Sequence, residues 1–304
     1  MKVSIVIPTL NAEPYLVRLL ELLKGQTVQG EIIVIDSSSS DNTVEIAKSF
    51  NAKTIIIKKE EFDHGGTRTL VGKEAEGDII IYLTQDAYPA NKYAVENLIK
   101  PFFEDEKIAG AYGRQLPNPD SSILSSHLRL FNYPPVSDIK TLDDSEKHGI
   151  MTAFLSNAFA AYKKSAMNEV GWFKEKLILS EDTYAGARLL IAGYKIAYVA
   201  DAMVFHSHDY TMVQEFKRYF DIGVFHKGEE WIIHRSGRAE GKGNKYIGSG
   251  LKFLVGSKIY YLIPEFFLRN ILKYIAYKLG KNYRRLPIWM IKNLSMNKDW
   301  WSNK

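Results

Sequence analysis

Apolar runs and amphipathic stretches alternate along the first 110 residues. KVSIVIPTL, starting at Lys2, has a strand pattern that stops at Pro8. Asn11 and Pro14 then mark the start of a helix running to about Lys24. EIIVIDSSSS is a second buried strand, followed by a helix over DNTVEIAKSF with Asp41 or Asn42 as its cap. AKTIIIKK is a third strand, and GGTRTLVGKEAEG reads as a helix closed by Gly77. DIIIYL is the fourth strand, and KYAVENLIKPFF is a helix broken at Pro101. Strands alternating with helices in this way predict a parallel sheet covered on both faces.

The pattern changes after residue 113. Residues 114–150 are rich in Pro, Asn, Ser and Asp, which predicts a long functional loop with short helical pieces. Order returns with SNAFAAYKKSAMNEVGWF. Ser180 is placed to cap a helix over EDTYAGARLLIA that ends at Gly193. YKIAYV and AMVFHSH follow as strand-like runs, and helical signals dominate from Tyr210 onward.

Polar groups gather where the predicted strands end: Thr9 and Asn11 after the first, Asp36 after the second, Gln85 and Asp86 after the fourth. In open parallel sheets, ligands bind in the crevice beyond the carboxyl ends of the strands. The dinucleotide fingerprint and the P-loop are both missing after the first strand. A carboxylate beside a diphosphate would repel it unless a divalent cation lay between them, and Mg²⁺ or Mn²⁺ typically uses one or two carboxylates plus phosphate oxygens. Asp86 therefore points to a metal–diphosphate site and Asp36 to a hydrogen bond with a base or ribose. His206 and His208 stand two apart in a strand-like run, so they share a face and are candidate metal ligands. Glu181 and Asp182 open a helix, where acids also serve simply to complement the helix dipole.

Four stretches in this order and spacing, VSIVIPTLN, IIVIDSSSSDNT, EGDIIIYLTQDAYP and LSEDTYAGARLLIAGYKIAYV, resemble the family 2 glycosyltransferases over roughly residues 2–225. FDHGGTRTLVGKEAEGD resembles more narrowly the bacterial rhamnosyltransferase branch, which builds O-antigen and other surface polysaccharides. The resemblance implies an α/β chain of GT-A fold, with a mostly parallel twisted sheet flanked by helices and a nucleotide-sugar donor. Pro8, Thr9, Asn11, Asp36, Arg68, Gln85 and Asp86 would then bind the nucleotide sugar. Asp36 would contact the base, Arg68 would lie near the ribose–diphosphate, and Asp86 would be the metal-binding aspartate of the D-x-D motif. The motif departs from the family pattern at Thr84, where the first Asp belongs, and Thr69 stands where many relatives have Asn. Asp182 would be the catalytic base, with Glu181, His64, Arg218 and Tyr219 as candidate acceptor or diphosphate contacts. Mg²⁺ or Mn²⁺ would be the cofactor, held by Asp86 with His206 or His208.

Composition and charge add a second feature. With 46% hydrophobic and 25% charged residues, the 304-residue chain has ample material for a core, and the lack of cysteine excludes disulfides and thiolate metal sites. The five-residue apolar run at the start is too short for a signal-peptide core. Residues 245–304 hold twelve Lys/Arg against Glu265 and Asp299, and twelve aromatics. This basic, aromatic-rich stretch is expected to be a helical appendage on a catalytic domain at 1–244, itself split into a nucleotide half (about 1–113) and an acceptor half (about 114–244). Such a composition suits a polyanionic surface, either membrane or nucleic acid, and the resemblance favours an anionic membrane because lipid-linked acceptors are usual for that branch. A homodimer contact or core packing is the alternative role. The expected protein is a cytoplasmic enzyme, peripheral on the inner face of the cell membrane. It would move L-rhamnose from dTDP-L-rhamnose, with inversion, to a lipid-linked glycan. The alternatives are a UDP- or GDP-hexose transferase of the same fold, a catalytically silent membrane-bound assembly subunit, and, disfavoured by the missing glycine-rich loop, a nucleotidyltransferase.

Overall fold

The computed structural model describes residues 1–237 and 242–302. Its first half follows the alternating pattern: β1 (Val3–Thr9), α1 (Glu13–Lys24), β2 (Glu31–Asp36), α2 (Thr43–Ser49), β3 (Lys53–Ile56), α3 (His64–Glu74) and β4 (Ile79–Leu83). These four strands are parallel, in the order β3-β2-β1-β4. Side-chain alternation divides the core between the two faces of the sheet. Ile5, Ile7, Ile79, Ile81 and Leu83 pack on one face with Leu16, Leu19, Leu20 and Leu23 of α1. Val6, Ile80 and Tyr82 point to the other, larger core.

The second half adds β5 (Tyr88–Pro89), α4 (Ala94–Ile99), α5 (Pro101–Glu104), β6 (Ile108–Leu116), α6 (Ile123–Asn132), β7 (Asp138–Lys140), α7 (Ser145–His148), β8 (Phe159–Lys163), α8 (Lys164–Val170), α9 (Glu181–Ile191) and β9 (Lys195–Phe205). The sheet continues β4-β8-β6-β9-β5, with β7 pairing on β9. β8 is antiparallel to both neighbours, whereas β6 and β9 are parallel, so the sheet is mixed.

Several local expectations are corrected. β1 continues through Pro8 to Thr9, because pairing with β4 ends at Val6 and no ladder bond on that side needs an N–H from Pro8. Asn11 does not cap α1. It takes φ +48° and accepts the Ser40 amide at 3.0 Å, stitching the β1 and β2 loops together. Gly77 does not close α3; its amide donates to Ser4 Oγ, and a side chain there would collide with β1. Ser180 precedes α9 as expected, but at φ +64° its hydroxyl makes no capping bond. Residues 114–150 are less loop-like than their composition suggests: β6 reaches Leu116, and α6 is ten residues long, capped by Ser122. The two strand-like runs near 200 form one strand, β9. Its register against β6 jumps between Gly113 and Arg114, which accommodates the extra residues.

The remaining helices are α10 (Met212–Gly228), α11 (Glu230–Ser236), α12 (Lys242–Gly256), α13 (Ile263–Lys281) and α14 (Ile288–Leu294). α13 lies along α10. Cβ atoms at Gly223 and Gly280 would reach opposing backbone oxygens at 2.4 and 2.0 Å, so this approach requires glycine at both positions. Ala276, Ile291 and Trp301 belong to the larger core. Asp221 of α10 is fully buried; it accepts the Ser295 hydroxyl at 2.6 Å and the Met296 amide at 2.9 Å. Among the described residues, no helix is long and apolar enough to cross a membrane.

Candidate active site

The crevice beyond the carboxyl ends of β1, β2 and β4 gathers most of the residues singled out above. Asp36, fully buried, accepts the Thr9 hydroxyl at 2.9 Å, the Ser39 amide at 2.8 Å and the Ser39 hydroxyl at 2.5 Å. These bonds fix the loop after β2. Ser39 Oγ also accepts the Asn11 amide at 2.8 Å. Gln85 joins the β1 and β4 ends, accepting the Leu10 amide at 2.9 Å and donating to the Leu10 carbonyl at 3.3 Å. Pro8 contributes backbone geometry to the same edge.

Asp86, just past β4, faces two imidazoles from beyond the end of β9. His206 Nε2 lies 3.5 Å from one carboxylate oxygen and His208 Nε2 3.8 Å from the other. One ligand atom from each of the three residues falls within 4.8 Å of the others. Burial pushes the Asp86 carboxyl up, but the hydrogen bond and charge of His206, the charge of His208 and the Thr84 hydroxyl hold it well below the usual carboxylate range. Burial, assisted by His206, lowers His208 to about 4. His206 is oriented from behind. Its Nδ1 sits 2.9 Å from Gln115 Oε1, an acceptor that leaves Nε2 turned towards Asp86. Gln115 is itself buried and held by Ser156 (2.8 Å) and Arg129.

The third cluster stands at the N-terminus of α9. Glu181 and Arg68 are both buried and form an ion pair at 3.2 Å. Arg68 Nη1 also donates to the His64 carbonyl at 3.0 Å. His64 packs edge-on to Phe62, and burial lowers its basicity. Asn157 bridges the acidic pair: its side chain donates to Glu181 at 3.0 Å, its amide to Asp182 at 3.2 Å, and it accepts the Tyr162 hydroxyl at 2.8 Å. Adjacent acids thereby acquire opposite properties. Burial raises Glu181, but Arg68, His64 and Asn157 overcome it and hold this group below its ordinary value. For Asp182, burial and then the Glu181 charge outweigh the Asn157 and Thr183 amides and the weaker pull of Arg68, and push it up to about 7.

Two expected contacts sit elsewhere or at the margin. Arg218 is exposed on α10, its guanidinium 5.9 Å from the Tyr210 ring centre, and its charge is felt by His64 and His208. Tyr219 lies in the α10–α13 seam under Lys273 Nζ, at 5.5 Å. Gln115 and Asn157 were not anticipated. Their only trace in the sequence is a polar residue bordering an apolar strand, in AYGRQL and SNAFAAY.

Residues 4–171 match the model of the glycosyl transferase family 2. The chain is 44% identical over 306 aligned residues to the O-antigen chain rhamnosyltransferase RfbN of Salmonella typhimurium, covering 100% of this chain and 97% of the relative. It is 43% identical to the O-antigen chain rhamnosyltransferase WbaN of Salmonella anatum, covering 90% and 86%. Among solved structures it resembles the mannosyltransferase PcManGT of Pyrobaculum calidifontis, in complex with GDP-Man and Mn²⁺ (TM-score 0.65, 13% identity, 94% and 88% covered). It also resembles residues 1–349 of S. aureus TarS in complex with UDP-GlcNAc (TM-score 0.58, 17% identity, 97% and 84% covered). The structural likenesses place the fold as GT-A, and the family profile spans more than half of the sequence. On these grounds the chain belongs to glycosyl transferase family 2.

Proposed function

We propose that this glycosyltransferase moves L-rhamnose from dTDP-L-rhamnose to a growing, lipid-linked surface polysaccharide, inverting the anomeric centre. The observation that carries the reading is the 44% identity to an O-antigen chain rhamnosyltransferase along the whole chain. The proposed base is Asp182. Its carboxyl is raised by burial and the Glu181 charge, and it takes the proton of the acceptor hydroxyl as that oxygen bonds to the anomeric carbon. The bond from that carbon to the diphosphate oxygen breaks, and attack from the opposite side inverts the centre. Glu181, held ionised by Arg68, balances that buried cation and shapes the helix start. Asp36, Thr9, Asn11, Pro8 and Gln85 are the proposed nucleotide contacts. Arg68 and His64 are placed by this reading beside the ribose–diphosphate, and Arg218 beside the acceptor.

Asp86, His206 and His208 would hold a divalent cation. The convergent Nε2 atoms and the low-lying Asp86 carboxyl fit such an ion. When bound, the cation offsets charge on the departing diphosphate. Mg²⁺ favours oxygen ligands, so two imidazoles make Mn²⁺ the better match. The enzyme is proposed to work in the cytoplasm, peripherally on the inner face of the membrane.

The test is a thermal-shift panel of nucleotide sugars with and without Mn²⁺, followed by transfer assays. A selective ligand raises the midpoint by mass action, about 2.7 kcal/mol at a hundredfold excess over Kd. dTDP-L-rhamnose with Mn²⁺ is expected to give the largest shift and to support transfer. A selective response to a UDP- or GDP-hexose overturns the donor, and full transfer in the presence of a chelator overturns the metal.

A further inference from the structure

The last part of the chain carries two surface features that the crevice does not use. The first is an apolar stripe on the outer side of α13. Phe266, Lys273, Ala276 and Gly280 of this helix are buried. Phe267, Leu268, Ile271, Tyr274 and Ile275 are exposed at helical spacing; Ile271 is 56% and Tyr274 62% accessible. Two exposed tyrosines, Tyr260 and Tyr261, precede the helix, and exposed Trp289 follows it.

The second feature is an open groove of about 420 Å³ where the C-terminal ends of α10 and α13 meet. Lys227, Lys278, Lys281, Arg284 and Arg285 line it, and Glu230 is its one carboxylate. Glu230 is taken by Lys227 at 2.9 Å. Among the described residues, Lys278, Lys281, Arg284 and Arg285 make no ion pair; the first three lie against Tyr274, Tyr277 and Tyr283 instead. Lys278 belongs to both features, since it ends the exposed stripe and lines the groove.

The two helices fix where this surface lies relative to the crevice. Glu215 of α10 pairs with Arg269 and Lys273, at 2.9 and 2.8 Å, and further along His226 meets the Tyr277 hydroxyl at 3.0 Å. The helices therefore run parallel. The Arg269 end of α13 lies beside His208, with which Arg269 and Lys273 line a common hollow. From Arg269 to Lys281 is about 18 Å at 1.5 Å per residue.

Unpaired cations call for phosphate oxygens, and an adjoining apolar stripe calls for hydrocarbon. An anionic lipid leaflet supplies both at this spacing. We propose that the groove binds the phosphate headgroups of an anionic leaflet while the α13 stripe enters the boundary between headgroups and acyl chains. This deepens the peripheral-membrane reading above by naming its surface, and it sets the crevice within about 20 Å of the leaflet, where a lipid-linked glycan begins.

The experiment uses the full chain and two variants, co-sedimented with vesicles of phosphatidylglycerol and phosphatidylcholine, or of phosphatidylcholine alone. The quadruple variant Lys278→Gln, Lys281→Gln, Arg284→Gln, Arg285→Gln should weaken binding to anionic vesicles on the order of 10²–10³-fold and remove most of its salt dependence. Ile271→Ser with Ile275→Ser should weaken it on the order of tenfold or more, because these side chains are exposed and their loss leaves the fold intact. Both variants should keep wild-type transfer to a water-soluble acceptor. That result separates this proposal from the activity itself: a chain that binds vesicles but transfers no sugar would sink only the functional reading. Three results overturn the surface proposal. One is wild-type vesicle binding by both variants. Another is a serine variant that turns a dimer into monomers without changing vesicle binding, which would make the stripe a contact with a second copy. The third is competition by inorganic pyrophosphate with no effect of the serine changes, which would make the groove a site for a soluble anion.

Discussion

The two acidic clusters of the crevice are built on opposite electrostatic terms. Asp86 is partly buried but faces two imidazoles, which hold its carboxyl low. Asp182 is also enclosed, yet the charge that acts on it most strongly is another carboxylate, and its own carboxyl rises to about 7. The compensating Arg68 is spent on Glu181. Titratable groups pushed apart in this way suit different tasks: one remains an anionic ligand, and the other exchanges a proton near neutral pH. Burial acts in the same direction on both, so the difference comes from the partner each backbone position supplies.

The sharpest way to break this contrast is Asp182→Asn. As the proposed base, it should lose 10²–10⁴-fold in kcat with little change in donor KM, read by steady-state kinetics. Retained turnover with collapsed donor affinity would make Asp182 a binding residue. The same substitution should raise the melting temperature more at pH 8 than at pH 5. A folded-state carboxyl raised to about 7, from 3.8, destabilises the fold increasingly as pH rises between those values, and Asn removes that cost.

Asp86→Asn tests the other cluster. It should lower Mn²⁺ affinity by on the order of 10²-fold, measured by calorimetry with nucleoside diphosphate present, while Asp182 keeps its pH dependence. Gln115→Met leaves every ligand atom in place but removes the acceptor behind His206. It should cost about 10–100-fold in Mn²⁺ affinity and nothing in the stability of the α9 cluster. Unchanged affinity would mean that packing alone orients the ring.

The smallest expected effect is a displacement rather than a loss. In the wild type, kcat should rise with pH through a midpoint near 7 as Asp182 ionises. Glu181→Gln removes the like charge beside Asp182 and leaves Arg68 unbalanced, so the midpoint should move to lower pH. A profile that stays in place would show that burial by itself sets the Asp182 carboxyl.

Periodicity made the first half of the fold legible. Runs such as Ile79–Leu83 are apolar on both faces, which is the signature of a strand sandwiched between helices; those of β1, β2 and β4 became interior strands, and the third run formed the edge strand β3. The polar residues bounding those runs marked the crevice, because a carboxylate at the end of a buried strand needs a partner or a ligand. The stretch from 114 to 150 holds the short helical pieces that its Ser, Asn and Pro content predicts, Ser145–His148 among them, but is only partly a loop. Ser122 instead caps α6, whose apolar side finds cover against α12, a helix more than a hundred residues later.

The sequence by itself determined the parallel half of the sheet, the positions of Asp36, Asp86 and Asp182, and the pairing of His206 with His208. These depend on spacing within one element or on the end of a single strand. Only the tertiary structure decided which partners those groups have. Gln115 reaches His206 across 91 positions, and Asn157 reaches Glu181 across 24. The sheet order that brings β6, β8 and β9 beside β4 leaves no local trace in the chain. A side chain's charge state follows from the dielectric and the neighbours around it, and those are fixed only when distant segments pack.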